Sequence, residues 1–278
     1  MTAPPRRTTW PVNRAASRSG VPLGIRPDSW RAAAVDAFAM LRDLILPRGC
    51  AGCDMPDAVL CPSCTDDFDH DLARPMPGTV TGLAHACAVY TGAARRAILS
   101  WKDHGDEECD EPFARRLANT AMRSGMMSDD ETSGRESRPL VSSSSRNRPS
   151  QPIVLVPAPS SRASMTRRGR WHMRAVAERT AAILRGHGIA VEVRPWCRTV
   201  NVAAKSVETM SSAQRNARIR GNIVVTDPAA CHNRTAIVVD DIITTGATMR
   251  QCVGALTDQG ARVVGALALA SVQRDDAA

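Results

Sequence analysis

Asp240 and Asp241 are adjacent acids that close an apolar run, Ala236-Ile237-Val238-Val239, and precede Ile242-Ile243-Thr244-Thr245-Gly246-Ala247-Thr248. That order suits a buried strand ending in two carboxylates, a short loop of small hydroxylated residues, and the first turn of a helix. In such a loop the backbone N–H groups and the positive end of the helix favour a phosphate. Gly246 allows close approach of the backbone, while Thr244, Thr245 and Thr248 add hydroxyl donors. The paired carboxylates can accept from two vicinal sugar hydroxyls or hold a divalent cation. The plainer alternative is a solvated helix N-cap that happens to carry two acids. A second anion-binding loop is expected where the strand Ile153–Val156 runs into Pro157-Ala158-Pro159-Ser160-Ser161-Arg162, with Arg162 as its obvious anion ligand. Arg167, Arg168, Arg170 and Arg174 follow, and no Asp or Glu occurs between Arg138 and Arg174, so the local field is strongly positive.

Cys50-Ala51-Gly52-Cys53 and Cys61-Pro62-Ser63-Cys64 are two Cys-x-x-Cys hooks. Each hook turns two sulfurs toward one point, and two hooks make the tetrahedral four-thiolate shell that structural Zn²⁺ favours. A redox pair and an iron–sulfur cluster are the rival readings of the same thiols. His70 and His85 read as surface or packing residues, because four thiolates already complete a shell.

The elements that must position these groups follow from periodicity. Residues 1–27 read as a disordered tail. Trp30, Ala34, Phe38, Leu41 and Ile45 recur at helical spacing up to Pro47, so a helix and the cysteine module occupy 28–70. A polar connector through Gly82 comes next. A short strand is expected over Ala86–Thr91, then helices over Ala93–Lys102 and from Pro112 onward, the latter with Phe113, Leu117 and Ala121 inward. The Ser- and Arg-rich stretch at about 124–151 lacks the apolar surface to order itself and reads as a disordered insertion. Beyond it, strands over Ile153–Val156, Ile189–Val193, Thr235–Val239 and Arg262–Leu269 alternate with helices over Arg170–Arg185 and Met249–Gln259. Alternation of this kind predicts an α/β domain over about 80–275, a parallel sheet flanked by helices and preceded by the small four-cysteine zinc module.

Composition narrows the setting. The 278 residues carry a formal net charge of +8, with 43% hydrophobic and only 3% aromatic residues. Aliphatic side chains must therefore fill the core, and polyanionic partners are favoured. Nine cysteines, an odd number with five of them scattered, suit a reducing compartment. Met1–Gly24 has no apolar stretch of the signal-peptide kind, and Ala261–Val272, the best apolar run, is too short to span a bilayer. A cytoplasmic protein without membrane insertion is expected; its oligomeric state is left open.

The segment Ala236–Thr248 resembles the binding signature for phosphoribosyl diphosphate (PRPP) in type I phosphoribosyltransferases: four aliphatic positions, two acids, two aliphatics, then Thr-Thr-Gly-Ala-Thr. The resemblance implies that Asp240 and Asp241 are the catalytic pair, holding the ribose hydroxyls, and that Thr244, Thr245, Gly246, Ala247 and Thr248 take the 5′-phosphate. It further implies a pyrophosphate loop at Ser161 and Arg162, with Arg168 downstream, and Mg²⁺ bound with PRPP.

A short four-cysteine module followed by a C-terminal PRPP loop resembles the ComF family (competence protein F) over about residues 38–124 and 152–272. Leu44-Ile45-Leu46-Pro47 ahead of Cys50 carries the likeness, as does Tyr90-Thr91-Gly92 with Lys102-Asp103-His104-Gly105. Tyr90 reads equally as a packed core tyrosine. The likeness implies structural Zn²⁺ on Cys50, Cys53, Cys61 and Cys64, a substrate contact at Lys102, and a link to natural transformation, the handling of incoming single-stranded DNA. Two segments depart from the family. Arg168-Gly169-Arg170-Trp171-His172 stands for Arg-Gly-Phe-Asn-Gln, and Arg218 and Ile223 replace the Asn and Phe of a later motif. Three functions stay open at this point: a ComF-like PRPP-binding protein of DNA uptake or nucleotide handling, a base-salvage transferase, and a single-stranded nucleic-acid binder in which Trp171 and Trp196 stack bases.

Overall fold

The computed structural model describes residues 49–127, 151–160, 162–200 and 222–273. The expected tail, the helix before Pro47, residues 128–150 and the segment 201–221 lie outside these. The chain divides after Pro47, and every described residue belongs to the second unit.

Eight strands are present among the described residues. β1 (Leu72–Pro75), β2 (Leu83–Val89), β3 (Ile153–Pro157), β4 (Val191–Val193), β7 (Thr235–Ile243) and β8 (Arg262–Ser271) form one sheet in the order β1-β2-β8-β7-β3-β4. All neighbours are parallel except β1, which lies antiparallel on the edge. The expected α/β architecture, a mainly parallel sheet flanked by helices behind a four-cysteine cluster, is the one observed. A separate ribbon pairs β5 (Cys197–Thr199) with β6 (Ile223–Val225).

Central strands buried on both faces must be apolar throughout, and successive side chains take opposite sides. In β7, Ile237 and Val239 face one core while Ala236 and Val238 face the other; in β3, Leu155 and Val154 divide the same way. The first core holds Phe113 and Leu117 of the helix Asp110–Arg123 together with Met173, Val176 and Leu184 of the helix His172–Gly186. The second holds Met249, Cys252, Val253 and Leu256, the inward stripe of the helix Ala247–Asp258. With so few aromatics, three of them concentrate: Phe113 packs 5.1 Å from Phe68 and 5.3 Å from Trp101, centroid to centroid.

Several boundaries differ from the periodicity, each for a tertiary reason. β7 continues past Val239 through both acids, because the long β8 supplies partners: Asp240 pairs with Ala268 and Ile242 with Ala270. The polar connector after Cys64 contains β1, whose register on β2 is fixed by main-chain bonding and not by an apolar pattern. The helix expected over Ala93–Lys102 stops at Leu99 and passes into a π-helical turn, Ser100–His104, ended by Gly105 in the left-handed region (φ 80°). The helix expected from Arg170 starts at His172, and a separate helix, Arg162–Arg168, precedes it. Met126 is buried against Gly265, where any Cβ would collide with its sulfur, so the first residues of the expected insertion are packed.

Candidate functional site

β7 delivers Asp240 and Asp241 to the carboxyl end of the parallel sheet, where ligands of open α/β folds sit. Strand alternation turns the two acids to opposite faces, so they meet different neighbours. Asp241 lies on the side of the helix His172–Gly186. Its Oδ2 accepts from His172 Nε2 at 3.3 Å and from Lys102 Nζ at 2.6 Å. Asp240 Oδ1 accepts the backbone N–H of Asp241 at 2.9 Å. Among the described residues, each acid therefore has one oxygen tied to the protein and one that can still accept a hydrogen bond.

The environment separates the two acids. Burial, and then the charge of Asp241, push the Asp240 carboxyl up to about 8. Burial works in the same direction on Asp241, but the His172 hydrogen bond and the Lys102 charge outweigh it and hold that carboxyl below the usual range. Between the ordinary value of 3.8 and about 8, the folded chain keeps a proton on Asp240 that the unfolded chain has lost. Stability contributed here must fall as pH rises through that window and level off above it. Urea unfolding from pH 5 to pH 8 is expected to show the fall, and Asp240→Asn to flatten it; an unchanged slope in the variant would contradict this assignment.

Beyond the strand, Thr244, Thr245, Ala247 and Thr248 are exposed, and Gly246 caps the helix Ala247–Asp258 with φ 74°. A side chain at Gly246 would be strained by that φ and would meet Arg250 Nη1 at 2.8 Å. Arg250 donates to Thr245 O at 2.7 Å and so lies across the loop. Ser161 falls outside the described residues, and of Arg162 only the backbone is described.

Lys102 and Arg168 come together on one cavity of about 440 Å³, lined by the turn Trp101–Gly105, Glu107, Arg167, Arg168, Arg170 and His172. Behind it, the buried Asp110 accepts from Trp101 Nε1 at 2.7 Å and from Arg170 at 2.8 and 3.0 Å. Trp101 in turn packs edge-on against His172 at 4.7 Å. His172 is the participant that motif reading missed. It lies on the same helix face as Val176 and Thr180, and a histidine in a core-facing stripe was the available signal. Trp196 is core, whereas Trp171 is half-buried and donates its indole N–H to Ala158 O at 3.2 Å. Tyr90 is half-buried against the first core.

The four sulfurs of Cys50, Cys53, Cys61 and Cys64 lie within 4.8 Å of one another. A tetrahedron of Zn–S bonds of about 2.3 Å has edges of about 3.8 Å, so the thiols fit such an ion. Cys50 Sγ accepts from the N–H groups of Gly52 at 3.4 Å and Cys61 at 3.2 Å, as a ligand thiolate would. Gly52 is required, because a Cβ there would meet Cys64 Sγ at 2.8 Å. The other five cysteines are buried and unbridged. His70 is exposed, and His85 pairs with Asp71; neither adds to the cluster. Among the described residues, no helix is long and apolar enough to cross a membrane.

No family model and no curated protein matches this chain. Among solved structures it is similar to TT1426 from Thermus thermophilus, at 16% identity and TM-score 0.31, covering 61% of this chain and 86% of that one. It is similar also to hypoxanthine phosphoribosyltransferase from Trypanosoma cruzi, in a ternary substrates complex, at 10% identity and TM-score 0.31, covering 63% and 86%. A glutamic acid mutant from a study of an invariant aspartic acid in HPRTs matches at 11% identity and TM-score 0.31, covering 62% and 80%. At such identities and scores, none carries a residue role or an activity to this chain.

Proposed function

We propose that this chain binds PRPP or a closely related phosphoribosyl ligand, and that it has the two-part arrangement of a ComF-like protein. The observation that carries the reading is the acid pair: one uncommitted oxygen on each of Asp240 and Asp241, directly ahead of an exposed Thr-Thr-Gly-Ala-Thr loop at a helix start. The pair accepts from the ribose 2′- and 3′-hydroxyls. The loop N–H groups and the hydroxyls of Thr244, Thr245 and Thr248 take the 5′-phosphate. Lys102 and Arg168, which share one cavity, would take the diphosphate; on the resemblance alone, Ser161 and Arg162 are further diphosphate ligands. On the resemblance of its four-cysteine module and PRPP loop, we place the protein in DNA uptake or nucleotide handling.

The chemistry available at such a site is displacement at C1′. An acceptor lone pair forms the new bond to C1′ as the C1′–O bond to diphosphate breaks, and pyrophosphate leaves with the bonding electrons. Positioning and electrostatics do most of the work: the acid pair fixes the ribose and the cationic side chains stabilise the departing charge. Mg²⁺, where bound, would draw its protein ligands from the acids at the end of β7 in place of a ribose hydroxyl and would neutralise the diphosphate.

Calorimetric titration of the zinc-loaded protein with PRPP and Mg²⁺ tests the reading. Micromolar-range binding is expected. A hydrogen bond to the ionised Asp241 is worth about 1.5–3 kcal/mol and one to the protonated Asp240 about 0.5–1.5 kcal/mol, so Asp240→Asn/Asp241→Asn is expected to weaken it by roughly one and a half to three orders of magnitude. Absence of binding by the folded wild-type chain would sink the proposal.

A further inference from the structure

The turn Ser100–His104 places two consecutive side chains of opposite sign in the proposed ligand site. Lys102 reaches Asp241 Oδ2 at 2.6 Å, beside the oxygen left for a ribose hydroxyl or a cation. Asp103 turns the other way. Its Oδ1 accepts from Arg168 Nε at 3.2 Å, from Arg168 Nη2 at 3.0 Å and from Arg167 Nη2 at 3.5 Å. Two guanidinium groups thus converge on one oxygen of the chain's own carboxylate, inside the cavity that Lys102 and His172 share. Guanidinium forks match phosphate oxygens in the same way that they match carboxylate oxygens.

The geometry of the turn suits a part that can leave. It is π-helical, a conformation that recurs at functional sites, and Gly105 follows it in the left-handed region. One end is anchored, since Trp101 is buried and donates to Asp110. The Asp103 side chain keeps 38% of its surface, so its pairs are water-screened and cheap to break.

We propose that Arg167 and Arg168 form a polyanion subsite for a diphosphate group, and that Asp103 fills this subsite as an internal stand-in until the ligand displaces it. The inference rests on the phosphoribosyl reading above and adds to it a competitor built into the chain: entry of the ligand moves Asp103 off the arginines.

The test is calorimetric titration with magnesium pyrophosphate of the wild-type chain, Asp103→Asn, Arg168→Gln and the double variant, with PRPP titrations in parallel. Removing a screened competitor of this kind is expected to tighten pyrophosphate binding by about two- to fivefold. The melting temperature of Asp103→Asn is expected to fall by no more than a few degrees, the same small free energy read in the free protein. The gain must vanish in the Arg168→Gln background. Unchanged or weaker pyrophosphate binding by Asp103→Asn, or a gain that persists without Arg168, overturns the inference. Should PRPP still bind the wild type in that case, only the stand-in fails. If neither PRPP nor pyrophosphate binds any of the four proteins, the phosphoribosyl reading falls with it.

Discussion

Arg170→Met is expected to cost about 3–5 kcal/mol of folding stability, the range for breaking a buried ion pair by removing one partner. Asp110 keeps only 2% of its surface, and Arg170 supplies two of its hydrogen bonds, at 2.8 and 3.0 Å. The remaining partners are the Trp101 indole N–H and Arg179, the latter half-exposed and 3.6 Å away. Removing the guanidinium strands a charge in the core beneath the proposed ligand cavity. At a few degrees per kcal/mol for a domain of this size, the melting temperature should drop by roughly 10 °C. Adding Asp110→Asn is expected to restore most of the loss, because the uncharged amide still accepts from Trp101. A loss below about 1 kcal/mol in chemical denaturation of the single variant would show that Arg179 and water neutralise Asp110 unaided.

Stripping metal from the four-cysteine cluster should have a larger local effect still. Only Ala58, Leu60 and Ala93 pack against these cysteines among the described residues, so the module has almost no apolar core of its own. Structural zinc in small modules contributes apparent binding energies of about 10–16 kcal/mol, which become folding energy. One zinc per chain is therefore expected by elemental analysis. Chelation should release it and unfold the residues around Cys50–Cys64. The damage should spread to the helix Gly92–Leu99, because Arg96 donates to Gly52 O at 2.6 Å and Ala93 lies against the cluster. A brown protein with visible iron–sulfur absorption would refute zinc. A metal-free chain that keeps the module folded would favour a redox pair.

Local groupings were legible without any structure, because their chemistry lies within a few residues. The acid pair, the Thr-Thr-Gly-Ala-Thr loop, the strand ahead of them and the inward stripe of the following helix share one stretch of chain. The two cysteine hooks are similarly compact, and their four sulfurs meet. Parallel strands buried on both faces showed as continuous aliphatic runs. Edge strand β1 and the ribbon of β5 and β6 did not show, since main-chain pairing needs no side-chain pattern.

Residue types and short spacings thus determined the acid pair, the hydroxyl-rich loop and the four-cysteine cluster, and the α/β class that presents them. Tertiary structure alone decided how the acids differ. His172 reaches Asp241 across 69 residues of sequence, and Lys102 reaches the same oxygen from another element, while Asp240 bonds to neither and feels Lys102 only as a charge that burial and Asp241 outweigh. It also decided that Arg170 serves a buried Asp110 sixty residues away, and that Asp103 rests on Arg168. The physical reason is common to all of these: a charge is set by what the fold packs around it, and periodicity records which face a residue takes but not what it meets there.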